Sequence, residues 1–77
     1  MKERYRYISF SQVLVKGRTT TTWHCLNNSS RELLGVIQWF GSWRQYCYFP
    51  KADTVYSKGC MEDINDFIEQ LMKARAA

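Results

Sequence analysis

The sequence lacks the residue patterns on which most catalytic and metal-binding sites are built. It has one histidine, His24, without a motif that would make it the base for a nucleophile, and it has no Cys-x-x-Cys pair. His24 and Cys25 are neighbours in a predicted strand, so their side chains should point to opposite faces, which argues against a zinc site. We therefore predict a protein that is not an enzyme and needs no metal or other cofactor.

Long apolar runs are absent as well. No stretch approaches the ~20 residues that cross a bilayer, and the polar residues 1–4 are not followed by a signal-peptide core. The three cysteines, Cys25, Cys47 and Cys60, are odd in number and irregularly spaced, which argues against a disulfide framework and for a reducing compartment. We expect a cytoplasmic protein that does not enter a membrane.

The length and the charge set further bounds. A chain of 77 residues is predicted to form one domain, 1–77, and to bury only about 60% of the surface exposed in its unfolded state. The net charge is +4, but residues 1–50 carry seven basic and two acidic side chains, whereas residues 51–77 carry four and five. A basic first part suits a polyanionic partner, although it also serves solubility.

The densest aromatic run, residues 34–50, predicts a β-hairpin at the centre of the fold. Its arms are rich in aromatic and β-branched residues, Gly41 and Ser42 lie where a tight turn would fall, and Pro50 removes a backbone donor. Within it, residues 33–40 and 44–49 are the expected third and fourth strands. Residues 6–15 and 19–26 are the expected first and second strands, with the threonines at 19–22 typical of an edge strand.

The C-terminal part predicts a helix. Apolar residues recur there at spacings of three and four, and Ser57 is the best N-cap. The fold class is therefore α+β: a four-stranded antiparallel meander (ββββα) with one C-terminal helix packed on one face. Both faces of the fourth strand carry large side chains, so which face the helix covers stays open.

The candidate binding residues lie in the basic, aromatic sheet. By the strand period of two, Arg44, Tyr46 and Tyr48 share one face, with Trp43 at the turn. An open face of this kind would place cations on phosphates and rings on bases or sugars. The phosphate contacts would come from Arg4, Arg6, Lys16, Arg18 and Arg44, and the base or sugar contacts from Trp43, Tyr46 and Tyr48. In the alternative interpretation, the tyrosines pack under the helix as ordinary core residues.

Several segments resemble a group of small uncharacterised proteins encoded by bacteria, their phages and mobile elements. The resemblance covers residues 19–72, and its most specific part is Trp43-Arg44-Gln45-Tyr46-Cys47, followed by Phe49-Pro50. It also includes Trp23, Leu34-Gly35, Ile37, Trp39, Thr54-Val55, Cys60, Asp63-Ile64 and Phe67-Ile68. The resemblance implies a phage or mobile-element context and no activity. The order of elements is also similar to the DNA-binding domain of certain transposon integrases, with which no motif is shared.

Two functions follow as hypotheses. The first is a non-enzymatic nucleic-acid-binding module, most naturally for DNA, that uses the uncovered sheet face and the basic N-terminal residues. The second is a protein-interaction module that docks on a partner protein or on a second copy of itself, since tryptophan, tyrosine and arginine also dominate protein hot spots. Ion pairs between Arg44 and the carboxylates of the helix would favour the second hypothesis, a protein-interaction module.

Overall fold

The chain folds into a four-stranded antiparallel sheet and one helix, in a computed structural model that describes residues 1–76. The elements are β1 (Ile8–Val13), β2 (Thr22–Asn27), β3 (Leu33–Phe40), β4 (Gln45–Pro50) and α1 (Lys58–Ala76). The strands are hydrogen-bonded in sequential order, so the predicted ββββα meander is confirmed.

The core lies between α1 and one face of the sheet, with Phe67 at its centre. The Phe67 ring stacks on Phe10 at 4.2 Å between centroids and meets Trp23 edge to face at 5.0 Å. The helix side of this core is the predicted apolar stripe, and its buried members are Ile64, Phe67 and Leu71. Burial of these large side chains supplies most of the free energy that holds α1 on the sheet.

The helix begins where the sequence predicts. The Ser57 hydroxyl accepts a hydrogen bond from the backbone N–H of Cys60 at 3.1 Å, and the Ser57 carbonyl accepts one from Met61 at 3.0 Å. These contacts pair backbone groups that the first turn of a helix cannot satisfy internally.

The interpretation of the threonine run as an edge strand is wrong. Residues 19–21 belong to the loop between β1 and β2, and only Thr22 enters β2, which is an interior strand between β1 and β3. Gly17 has a φ of +86° within this loop, a conformation that favours glycine. The loop therefore places Lys16 and Arg18 at the end of the sheet.

The N-terminal residues run back along β1, which the sequence did not predict. The Phe10 N–H donates to the Glu3 carbonyl at 2.7 Å, the Tyr5 N–H donates to the Ile8 carbonyl at 2.8 Å, and Arg4 forms an isolated bridge with Ser9. This segment covers part of the outer edge of β1.

No helix of the described residues is long and apolar enough to cross a membrane. Within residues 1–76, no three His, Cys, Asp or Glu side chains lie close enough together to hold a metal ion.

Candidate nucleic-acid interface

Tyr46 and Tyr48 lie under the helix, which corrects the expected open face. Tyr46 is only 7% exposed and packs edge to face on Trp39 at 5.4 Å. Tyr48 packs against the same core, and its hydroxyl lies 2.6 Å from that of Tyr56. Burial, together with this hydrogen bond, raises the pKa of the Tyr48 hydroxyl. The alternative interpretation, in which the two tyrosines are core residues, is therefore correct. Neither ring is free to stack on a base.

Arg44 does not share a strand face with these tyrosines either. It precedes β4, in the turn at residues 41–44, where its backbone has a φ of +54° and its N–H donates to the Gly41 carbonyl at 3.2 Å. Its exposed side chain lines a shallow depression with Trp39, Met72 and Arg75. Arg44 therefore faces the end of the helix rather than the open face of the sheet.

Trp39 is the point on which arginines from three elements converge. The Arg75 guanidinium, from the last turn of α1, lies 4.0 Å from the centroid of the Trp39 ring. Arg18, from the loop between β1 and β2, donates from Nη2 to the Trp39 carbonyl at 2.9 Å. Arg44 lines the same depression from the turn between β3 and β4. A hydrogen bond thus holds Arg18 and a cation–π contact holds Arg75 against Trp39, while Arg44 lines the depression beside them.

Lys16 extends this group, because it lines a neighbouring depression together with Arg18. We refer to Lys16, Arg18, Arg44 and Arg75, arranged around Trp39, as the arginine surface. Its four side chains are all exposed. The result is a concentration of positive charge at the end of the sheet where the C-terminus of α1 lies.

The helix carboxylates do not neutralise the arginine surface. The ion pairs among residues 1–76 are Lys58 with Glu62 at 3.6 Å and Lys73 with Glu69 at 3.3 Å, both on the exposed side of α1. No aspartate or glutamate of the described residues forms an ion pair with Arg18, Arg44 or Arg75. The positive charge is thus available to an anionic ligand.

Arg4 and Arg6 lie near the opposite end of the sheet. They precede β1, and the strand pairing sets the start of β1 beside the end of β2, away from the loop that carries Lys16 and Arg18. The Arg6 guanidinium lies 5.1 Å from the ring centroid of its neighbour Tyr7. The structure thus brings Lys16, Arg18 and Arg44 together and leaves Arg4 and Arg6 apart.

Trp43 is the most exposed aromatic residue of the predicted set. Its side chain is 67% exposed, and its ring meets Phe40 edge to face at 5.1 Å. Phe40 in turn contacts Phe49 at 6.1 Å on the face of the sheet that the helix leaves open. We call Phe40, Trp43 and Phe49 the aromatic tip.

Two members of the site were not predicted, Trp39 and Arg75. The sequence does carry a signal for Arg75, which follows Leu71 by four residues and Met72 by three and so continues the apolar stripe of α1. A residue at that position must lie over the sheet. Trp39 belongs to the aromatic hairpin, but its place in the strand, two residues after Ile37, is that of an ordinary core residue.

Comparison with known proteins gives one informative match. Over 69 residues the chain is 32% identical to an uncharacterized 9.3 kDa protein of Acholeplasma phage L2, and the match covers 90% of this chain and 88% of the phage protein. No protein-family model and no solved structure matches the chain.

Proposed function

We propose that this chain, which belongs to the same family as the 9.3 kDa protein of Acholeplasma phage L2, is a non-enzymatic nucleic-acid-binding module. The observation that carries the proposal is the convergence of Arg18, Arg44 and Arg75 on Trp39 without a carboxylate partner among the described residues. The ligand is a phosphate backbone, held by the arginine surface.

Arginine suits this role because its guanidinium donates several hydrogen bonds in one plane and matches the oxygens of a phosphate. Two of these arginines are already held in place. Arg18 is held by the Trp39 carbonyl and Arg75 by the Trp39 ring, so less side-chain entropy is lost when a phosphate binds. The surface is also shallow, which favours contact with an extended polymer over enclosure of a small molecule.

The proposal predicts a strong dependence of affinity on salt. Four phosphate contacts give a slope of log affinity against log salt of about −3.6 for duplex DNA and about −2.8 for a single strand. Raising the salt from 50 to 200 mM should therefore weaken binding roughly 50- to 150-fold. Fluorescence anisotropy with labelled random-sequence 20-mers measures both slopes.

A charge-matched pair of variants locates the contacts. We expect Arg18→Gln/Arg44→Gln/Arg75→Gln to bind at least about tenfold more weakly at 50 mM salt and to reduce the salt slope to about −1. The control is Arg4→Gln/Arg6→Gln/Arg31→Gln, in which Arg31 lies in the loop between β2 and β3, beside the start of β1. It removes the same charge at the other end of the sheet and should retain most of the slope. Circular dichroism melts check that both variants fold.

Equal losses in the two triple variants would show that only total charge matters and would refute the arginine surface as the site. Absence of binding at 50 mM salt, or binding that salt does not weaken, would refute the nucleic-acid function itself.

A protein partner is the competing function, and the aromatic tip is the feature that favours it. Addition of a partner strand at the outer edge of β4 is disfavoured, because the Tyr46 N–H already contacts the Met72 sulfur at 3.5 Å and Pro50 has no N–H. A second copy or a host protein would therefore dock on the open face through side chains. Light scattering on the purified protein distinguishes a monomer from a dimer.

A further inference from the structure

The aromatic tip and the arginine surface share the turn at residues 41–44, which carries Trp43 of the first and Arg44 of the second. Trp43 directly precedes Arg44 in the turn, and consecutive Cα atoms are about 3.8 Å apart. Arg44 faces the end of the helix and Trp43 packs on Phe40 of the open face, so an extended strand that crosses the turn reaches both side chains in succession. The chemistry of that ring then decides which form of nucleic acid fits.

The indole of Trp43 is held in place while leaving ring surface free. Its backbone N–H donates to the Phe40 carbonyl at 3.2 Å, and the Phe40 and Trp43 rings are nearly perpendicular, at 89°. A perpendicular contact can occupy at most one face of the indole, so at least one face remains open to solvent, in keeping with its 67% exposure. Phe40 in turn contacts Phe49, so the ring on which Trp43 packs is itself held by a neighbour. An open, supported aromatic face is a stacking platform.

We propose that the ligand is single-stranded nucleic acid and that Trp43 stacks on one of its unpaired bases while Arg44 binds an adjacent phosphate. This inference rests on the proposed function and narrows its substrate class. In a duplex the flat faces of the bases are covered by their neighbours and only the base edges reach the grooves. A side chain on a surface turn can therefore cover a base face only where the strand is unpaired. Stacking of this kind accepts any base, so no sequence preference is implied.

Charge favours nucleic acid over a protein at this surface. In the described part of the chain the four cations of the arginine surface form no ion pair with a carboxylate, and one of them, Arg44, directly follows Trp43. A protein partner would have to supply a matching set of carboxylates beside an apolar patch. A single strand combines regularly spaced negative charge and free aromatic faces in every nucleotide.

The test compares three labelled 20-mers at 100 mM salt: a random single strand, its duplex, and an abasic strand with the same phosphates and no bases. We expect the wild-type chain to bind the single strand more tightly than either of the other two. Trp43→Ala should weaken binding of the single strand about tenfold and change the other two affinities by less than about twofold.

Tyr7→Ala is the matched control. Tyr7 is an exposed aromatic residue, 57% accessible, beside an arginine at the opposite end of the sheet. Its removal should leave all three affinities unchanged. Stacking should also quench tryptophan emission on addition of the single strand, and Trp43→Ala should abolish that quenching.

Equal affinity of the wild-type chain for single strand and duplex, with the loss in the arginine triple variant retained, would overturn this inference and leave the proposed function standing. No binding of any oligonucleotide would overturn both. If Trp43→Ala leaves every affinity unchanged and instead abolishes a dimer seen by light scattering, the aromatic tip is a protein contact and the inference is wrong.

Discussion

Gly35 provides space for the Tyr48 ring on the helix-covered face of the sheet. It lies on β3 opposite Cys25 of β2, and the Tyr48 ring occupies the space where a side chain would be. A Cβ at this position would lie 2.6 Å from the Tyr48 Cζ and 2.7 Å from the Phe49 carbonyl oxygen. The Tyr48 hydroxyl thereby reaches Tyr56, which donates to the Leu34 carbonyl at 2.6 Å. The absence of a side chain at Gly35 thus makes room for a partly buried chain of hydrogen bonds.

Replacement of this glycine should be costly. We expect Gly35→Ala to lower the free energy of unfolding by about 1–3 kcal/mol, because neither the ring nor the backbone of β4 can move away easily. Gly41→Ala is the control, since a Cβ there meets no atom within 4 Å. Urea unfolding curves of both variants measure the difference. Equal stability of the two would show that Tyr48 can repack without cost.

At the scale of elements, the N-terminal segment links the edge of the sheet to the helix. The Tyr5 hydroxyl donates to the Asp66 carboxylate at 2.7 Å and accepts from Gln70 Nε2 at 2.8 Å. Gln70 Oε1 also accepts a hydrogen bond from the Lys2 N–H at 2.9 Å, and Gln70 Nε2 donates one to the Lys2 carbonyl at 3.0 Å. The segment therefore links the middle of α1 to β1. The pairing of β1 with β2 does not itself make this link.

The Tyr5 hydroxyl should contribute measurably to this link. We expect Tyr5→Phe to lower the free energy of unfolding by about 1 kcal/mol, because it removes a hydrogen bond to a charged group that solvent only partly replaces. Tyr7→Phe removes the same atom from an exposed ring and should change the stability by less than about 0.5 kcal/mol. Thermal melts followed by circular dichroism compare them. A smaller effect for Tyr5 than for Tyr7 would contradict the role of the link.

At the scale of the whole molecule, charge and apolar burial are separated in space. The cations of residues 16–18, Arg44 and Arg75 meet at one end of the sheet, while the core keeps several ionisable groups in their neutral form. Burial raises the pKa of the Cys25 thiol to about 11, and burial with the Asp66 hydrogen bond raises that of the Tyr5 hydroxyl. Burial also raises the pKa of the Tyr48 hydroxyl. The folded state therefore binds these protons more tightly than the unfolded state.

Stability should in consequence fall at alkaline pH. Below about pH 8 these groups are almost fully protonated in both states and add little pH dependence. From about pH 8 the unfolded chain begins to lose the thiol proton, and at higher pH it loses the tyrosine protons, so the folded state loses stability as the pH rises to 11. Urea unfolding between pH 7 and 11 measures the slope.

Cys25→Ala should make the fall between pH 9 and 11 shallower, whatever it does to stability at pH 7. Cys47→Ala, which removes a half-buried thiol on the open face of the sheet, is the control and should retain the slope. An unchanged slope in Cys25→Ala would contradict the assignment.

The elements could be predicted because their signals are local. Residues 61–72 carry the helical period and residues 33–40 the strand composition, and each pattern is complete within one turn or a few residues. The start of β2 differs from the prediction, because threonine favours a strand by propensity although residues 19–21 lie in the loop before it. The run 34–50 forms the predicted hairpin, but it is not the centre of the fold, because β4 is an edge strand and Phe67 packs on Phe10 of β1 and Trp23 of β2.

The sequence by itself determined the order of the elements, the apolar stripe of α1 and the concentration of aromatic residues in one hairpin. Only the tertiary structure decided which face the helix covers, because both faces of β4 carry large side chains and the space above Gly35 favours Tyr48. It also decided that Arg18, Arg44 and Arg75 meet at Trp39 while Arg4 and Arg6 do not. Packing brings together residues that are far apart in the chain, and a local sequence pattern carries no information about such contacts.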